Sequence, residues 1–62
     1  MTMPKSDVIF EFIRRGNYVK VTAIDTASGI EASIVGDPGA GKETLERIAV
    51  QKLEWVLKKQ EQ

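Results

Sequence analysis

Apolar and polar residues alternate along the first half of the chain, which is the pattern of strands that have one face against a core. The alternation runs over Asp7–Arg14, Tyr18–Asp25 and Ile30–Val35, and it predicts three strands. Two turns separate them, Arg15-Gly16-Asn17 and Thr26–Gly29, since Gly and Asn tolerate a positive φ. Connections this short join neighbouring antiparallel strands, so we expect a meander.

From Lys42 onward the period changes to the three-and-four spacing of an amphipathic helix. Acidic residues stand in its first turns and basic residues in its last, which suits the helix dipole. Val50 and Trp55 fall outside the apolar stripe and widen it. The stripe consists of Leu45, Ile48, Ala49, Lys52, Leu53, Val56 and Leu57. We therefore predict one helix over residues 42–60, about as long as the strands that it would cover.

These elements predict a single α+β domain over residues 1–62, a three-stranded antiparallel β-meander followed by one long C-terminal helix, in the order β-β-β-α. A polar tail, residues 1–6, is expected to be flexible and precedes the meander of residues 7–35. A Gly/Pro loop, residues 36–41, leads into the helix. The predicted core consists of Val8, Phe10, Phe12, Ile34, Leu45, Ile48, Leu53 and Val56.

Composition narrows the chemistry. The chain has 62 residues with no Cys and no His, which excludes disulfides, the usual zinc sites and Cys- or His-based catalysis. Its formal net charge of zero disfavours nucleic acid and anionic membranes as partners. We find no signal-peptide pattern and no apolar run of membrane-spanning length, so we expect a cytoplasmic protein without a cofactor.

Surplus apolar residues on the first strand predict self-association. Ile9 and Ile13 alternate with the predicted core positions, and one helix covers only one face of a sheet. A chain this small also needs more burial than it can provide alone, so we expect a homodimer. Exchange of a strand or helix across the 36–41 loop is an alternative form of that dimer. The interface candidates are Ile9, Ile13, Val50, Trp55 and Leu57.

The loop itself is close to a phosphate-binding motif. Gly36, Gly41 and Lys42 match the spacing, but Glu43 stands where a Ser or Thr hydroxyl would bind magnesium. A carboxylate there and a meander topology both disfavour nucleotide hydrolysis. Weaker phosphate or anion binding at Gly39, Gly41 and Lys42 is one alternative. A tight strand-to-helix turn with Gly41 at the N-cap and Glu43 in the first turn is the other.

The same segment also resembles the end of a double-stranded RNA-binding domain. Over residues 39–49 a Gly-rich loop leads into a helix that starts with a lysine. The resemblance implies phosphate contacts from the helix N-terminus. That family's first helix has no counterpart before Val8, and its lysine cluster is reduced to Lys42. With the neutral charge, nucleic-acid binding therefore stays the lesser alternative.

Nearly the whole chain resembles a family of small uncharacterised alphaproteobacterial proteins of about this length. The matching segments are Val8–Phe12 with Gly16-Asn17, Val19–Asp25, Gly29 and Glu31, Ser33–Pro38, and Lys52-Leu53-Glu54. The resemblance implies a strand-and-helix fold that dimerises, and exchange of an element between two copies is one form of that dimer. It transfers neither an activity nor functional residues to this chain. We therefore expect a non-enzymatic homodimeric protein that serves as an interaction or regulatory module, with an unidentified protein partner as a further expectation.

Overall fold

The computed structural model describes residues 8–60 and shows three strands followed by one helix. Strands β1 (Val8–Arg15), β2 (Tyr18–Asp25) and β3 (Glu31–Gly36) form an antiparallel sheet in the order β1-β2-β3. A 3₁₀ turn, Pro38–Ala40, leads into helix α1, Lys42–Gln60. The predicted α+β class and β-β-β-α order are confirmed. The predicted flexible tail, residues 1–6, lies outside the described residues.

Turn chemistry sets the register of the sheet. A two-residue turn joins β1 to β2, so that Arg15 pairs with Tyr18 and the ladder continues to Val8 and Asp25. Gly16 has a φ of 59°, whereas Asn17 does not have a positive φ. Positive φ at the first turn residue alone is typical of a type II′ turn, which suits the twist of a hairpin. The turn therefore requires a glycine at position 16.

The β2–β3 loop is closed by hydrogen bonds around Asp25. The Asp25 amide donates to the carbonyl of Ile30 at 2.8 Å, and the Gly29 amide donates to the carbonyl of Asp25 at 2.8 Å. Gly29 adopts a φ of 78°, which favours glycine. Ile30 thus belongs to the loop, and β3 runs from Glu31 to Gly36, one residue later at each end than the alternation predicts.

The core lies between β2 and α1. Three small or β-branched residues of β2, Val19, Val21 and Ala23, are buried against the helix. Their small volume lets the helix approach the sheet closely, so the bulk comes from the helical leucines. The buried core consists of Val19, Val21, Ala23, Ala32, Leu45, Ala49 and Leu53, and the hydrophobic residues packed around it are Val8, Phe10, Ile30, Ile34, Val56 and Leu57.

The helix is displaced from the middle of the sheet. It contacts β2 and β3, and it contacts β1 much less. The core-facing side of β1 is therefore only partly covered, and Phe12 remains 38% exposed. Ile48 is 43% exposed because it lies on the flank of the helix rather than in the buried stripe. The prediction that Phe12 and Ile48 belong to the core was wrong.

A lysine ties the helix to the edge of the sheet. The Lys52 ammonium group donates to the main-chain carbonyl of Ser33 at 2.8 Å. Lys52 therefore lies toward β3 and is exposed, so its predicted place within the buried stripe was wrong. Lysines at exposed sheet edges also discourage pairing with other chains.

Leu53 and Ile48 both belong to the predicted apolar stripe, but their replacement by alanine should change the stability of the protein by different amounts. Replacing Leu53, which is fully buried, with Ala should lower the free energy of unfolding by roughly 2–5 kcal/mol, because a cavity remains. The matched change Ile48→Ala should cost less than about 1 kcal/mol. Urea unfolding followed by circular dichroism checks this. Equal losses would contradict the displaced position of the helix.

Candidate functional site

The loop between β3 and α1 is held by its own aspartate. The Asp37 carboxylate accepts a hydrogen bond from the Gly39 amide at 2.8 Å, and the Asp37 carbonyl accepts one from the Ala40 amide at 2.9 Å. Pro38 opens the 3₁₀ turn between them. Such bonds from an aspartate to the backbone two residues on are a common way to fix a turn.

Gly41 starts the helix. Its carbonyl accepts the first helical hydrogen bond, from the Leu45 amide at 3.1 Å, which places Gly41 at the N-cap. Its φ of 94° lies in the region that favours glycine. Glu43 falls in the first turn, where a negative charge suits the helix dipole. The predicted tight strand-to-helix turn is therefore confirmed.

The other residues of the phosphate-like motif also have structural partners. A Cβ on Gly36 would overlap the end of the Leu45 side chain, so glycine there leaves room for Leu45 to pack on β3 in its present rotamer. The Lys42 ammonium group lies 5.7 Å from the centre of the Phe12 ring, in cation–π contact. The Gly39 amide already has a carboxylate acceptor in Asp37. Each element of the motif thus has an explanation that involves no ligand, and anion binding stays a prediction.

Below the sheet lies a surface without a covering layer, which we call the open face. It carries the side chains that alternate with the core positions, and its apolar members are Ile9, Ile13, Tyr18, Ile24 and Val35. Ile9 is 53% exposed and Val35 is 65% exposed. The Thr22 and Ser33 hydroxyl groups are 2.8 Å apart, and this hydrogen bond satisfies both at the middle of the face. The open face therefore mixes five apolar side chains with six polar ones, and the two hydroxyl groups at its centre are already paired.

Charges on the open face are separated along the strands. Glu31 lies toward the end where β1 begins, Glu11 lies beside the central Thr22, and Lys20 and Arg15 lie toward the β1–β2 turn. All four are exposed. The basic residues of the face therefore lie toward the turn and the acidic residues toward the middle and the other end, with no net charge between them.

The predicted interface residues lie in four different places. Ile9 and Ile13 are on the open face. Val50 lies on the flank of α1 toward β1, while Trp55 lies on another part of the helix surface, where the Lys59 ammonium group is 4.7 Å from its ring centre. Leu57 is partly buried and packs against the core. Of the five, only Ile9 and Ile13 share one surface, and the interface itself stays a prediction.

A second polar feature is the buried carboxylate of Asp25. It is 5% exposed, and its Oδ2 accepts a hydrogen bond from the Ser28 hydroxyl at 2.6 Å. The Ile30 amide in turn donates to the Ser28 oxygen at 3.2 Å. Within residues 8–60 its Oδ1 has no hydrogen-bond partner. The arrangement stabilises the β2–β3 loop.

Some site residues were not found from the sequence. Val35 follows the alternation of Glu31 and Ser33 onto the open face, and that period could have identified it. The space between Phe10 and Val50 depends on the sideways displacement of the helix. No periodicity within a single element reports that displacement.

Comparison with known proteins places the chain in a family. A family model described as a domain of unknown function, DUF6898, matches residues 5–60. The chain belongs to this family. No curated protein and no solved structure matches it. Within residues 8–60 of this DUF6898 protein, no helix is both long and apolar enough to cross a membrane.

Membership in DUF6898 confirms part of the resemblance drawn from the sequence. An uncharacterised domain of about this length was expected, and the match covers residues 5–60. The alphaproteobacterial origin and the dimer stay predictions. Because the family carries no assigned activity, any function for this DUF6898 chain must be argued from its own surfaces.

The structural role of Asp37 can be tested by removing its acceptor. Asp37→Ala should lower the free energy of unfolding by about 1 kcal/mol, because the Gly39 amide loses its partner. Asp37→Asn keeps an accepting oxygen and should cost less. Urea unfolding of both variants checks this, and equal stability of Asp37→Ala and the natural protein would contradict the proposed role.

Proposed function

We propose that this DUF6898 protein is a non-enzymatic interaction or regulatory module of the cytoplasm that assembles as a homodimer through its open face. The observation that carries the proposal is the apolar surface left on the sheet side opposite α1, with Ile9 and Val35 more than half exposed. Antiparallel sheets can leave one face in water, but such faces are usually polar. The polar row of Glu11, Thr22 and Ser33 divides the apolar residues of this face into two groups, and exposed apolar groups on an uncovered sheet face are candidates for contact with a partner.

Charge favours a second copy as the occupant. When two open faces stack with their strands running in opposite directions, the end of one that carries Glu31 lies over the basic end of the other. Glu11 and Glu31 of one copy then come near Lys20 of its partner. A two-fold axis repeats the same contact on the other side. The face is therefore complementary to itself, and like-charge contacts would arise if the strands ran parallel.

The size of the face indicates a reversible dimer. Three strands about 4.8 Å apart and eight residues of about 3.4 Å each give a footprint of roughly 400 Å². Stable interfaces bury about 800 Å² on each partner. The open face alone is about half of that, so we expect dissociation on dilution.

Intact copies suit this dimer better than exchanged ones. Asp37 closes the β3–α1 loop through two hydrogen bonds, and Gly41 starts the helix at the end of that turn. An exchanged helix would need a more extended loop and would lose the bonds from Gly39 and Ala40. The open face would also stay uncovered, because an exchanged α1 would occupy the same side of the sheet.

The second candidate, phosphate or nucleic-acid binding at Gly39, Gly41 and Lys42, has less support. Asp37 places a negative charge beside the amide that an anion would use. Titration of inorganic phosphate, followed by amide NMR, separates the two functions. Chemical-shift changes confined to the amides of residues 39–42 would support anion binding. Unchanged amide chemical shifts at millimolar phosphate would contradict it.

Charge exchange on the open face tests the dimer. Light scattering during size exclusion should give a mass that rises from 6.9 kDa toward twice that value as concentration increases. Glu11→Lys alone and Lys20→Glu alone should each weaken association several-fold, because each places like charges together. The double variant restores opposite charges across the interface and should regain most of the affinity.

Two controls sharpen this test. Ile48→Lys, on the far side of the molecule from the open face, should leave the association unchanged. Ile9→Lys should abolish it, because an unpaired ammonium group would be buried at the contact. A mass of 6.9 kDa at every concentration would overturn the proposal. If Ile48→Lys abolished the dimer and Ile9→Lys did not, the interface would lie on the helix and not on the open face.

A further inference from the structure

A groove runs between α1 and β1, on the opposite side of the sheet from the open face. Its volume is about 640 Å³, and its walls include Val8 and Phe10 from the strand and Val50 and Leu53 from the helix. It exists because α1 is displaced toward β3 and leaves the inner side of β1 partly uncovered. We propose that this groove binds an amphipathic helix with basic residues along its margins, from a partner protein.

Acidic residues along the groove argue for a basic occupant. Glu43, Glu46 and Glu54 line it, and Arg47 is the basic residue among its lining residues. The whole chain has no net charge, so this excess of negative charge is local. Lys42 lies beyond one end, in contact with the Phe12 ring. A helix whose lysines or arginines flank an apolar stripe would complement both the floor and the rim.

The geometry of the layer favours a helix as the occupant. Helices pack with their axes 8–10 Å apart. Since α1 lies over β2 and β3, a second helix at about that distance would lie above β1. Its apolar stripe would cover Phe10 and Val50, which are half-buried.

The length of the groove sets the length of the occupant. Its helical wall extends from Glu43 to Glu54, which corresponds to roughly 16 Å of helix at 1.5 Å per residue. A bound segment of about three turns would fill it. Such a segment presents apolar residues at positions i, i+3, i+4 and i+7. The groove is therefore of the size to bind a short helical segment rather than a whole domain.

A pair of synthetic peptides tests the proposal. The probe is a labelled peptide of about four turns with leucine at helical spacing and lysine elsewhere, and its partner carries glutamate in place of lysine. Fluorescence anisotropy with the full chain should show binding of the lysine peptide and at least about tenfold weaker binding of the glutamate peptide. Amide NMR with the lysine peptide should shift Phe10, Val50 and Glu54.

Matched variants locate the contact. Val50→Lys should weaken binding at least about tenfold, because it places a charge on the apolar wall. Ile48→Lys adds the same charge on another flank of α1 and should weaken it less than about twofold. Reversing Glu46 and Glu54 to lysine should weaken it several-fold. Circular dichroism of each variant confirms that the helix is retained.

Several outcomes would overturn the proposal. They are no binding of the lysine peptide at millimolar concentration, equal binding of the two peptides, and equal effects of the Val50 and Ile48 changes. NMR shifts confined to Ile9, Ile24 and Val35 would also overturn it, since those residues lie on the open face. Because the groove and the open face are on opposite sides of the sheet, failure here leaves the dimer standing.

Discussion

The contact between one stripe of α1 and the central strand determines the shape of the molecule. Leu45, Ala49 and Leu53 meet Val19, Val21 and Ala23 with almost no exposed surface. Alanines on both sides bring the helix close to β2, and Gly36 lets Leu45 reach the end of β3. The remaining surfaces follow from where this contact places the helix.

The placement of the helix leaves two surfaces of the sheet uncovered. One helix covers one side of the sheet, so the residues that alternate with the core form the open face. The displacement of the helix toward β3 leaves the groove along β1. Burial is limited in a chain of 62 residues. Both surfaces are therefore places where a partner can add the apolar contact that the single chain lacks.

The fold was predictable from local signals because each element has a strong one. Alternation gives the strands, Gly16 and Gly29 give the turns, and the helical period together with Gly41 gives the start of α1. Of the two interpretations of the near-match to a phosphate loop, the strand-to-helix turn is confirmed, and anion binding there stays a prediction. The residues of the core were harder to predict. Sequence reasoning favoured bulky Phe12 and Ile48 over Ala23 and Ala49, because size indicates hydrophobicity but not lateral position in a layer.

The candidate sites were likewise predictable where they depend on strand periodicity and not where they depend on packing between elements. Ile9 and Ile13 were found because strand periodicity assigns a residue to a face. Trp55 and Val50 were grouped with them, although the structure places each on a different surface. The groove depends on how far the helix lies from β1, a distance set by packing across three strands. No pattern within one segment of sequence contains that information.

The most direct test of the account measures solvent exposure at isoleucine methyl groups. A soluble gadolinium complex broadens methyl NMR signals that face water. In dilute solution we predict strong broadening for Ile9, which is more than half exposed, intermediate broadening for Ile13 and Ile24, and weak broadening for Ile30 and Ile34, which pack against the core. At high concentration Ile9, Ile13 and Ile24 should become protected. Protection of Ile9, Ile13 and Ile24 at every dilution would contradict an open face, and exposure at every concentration would contradict its role in assembly.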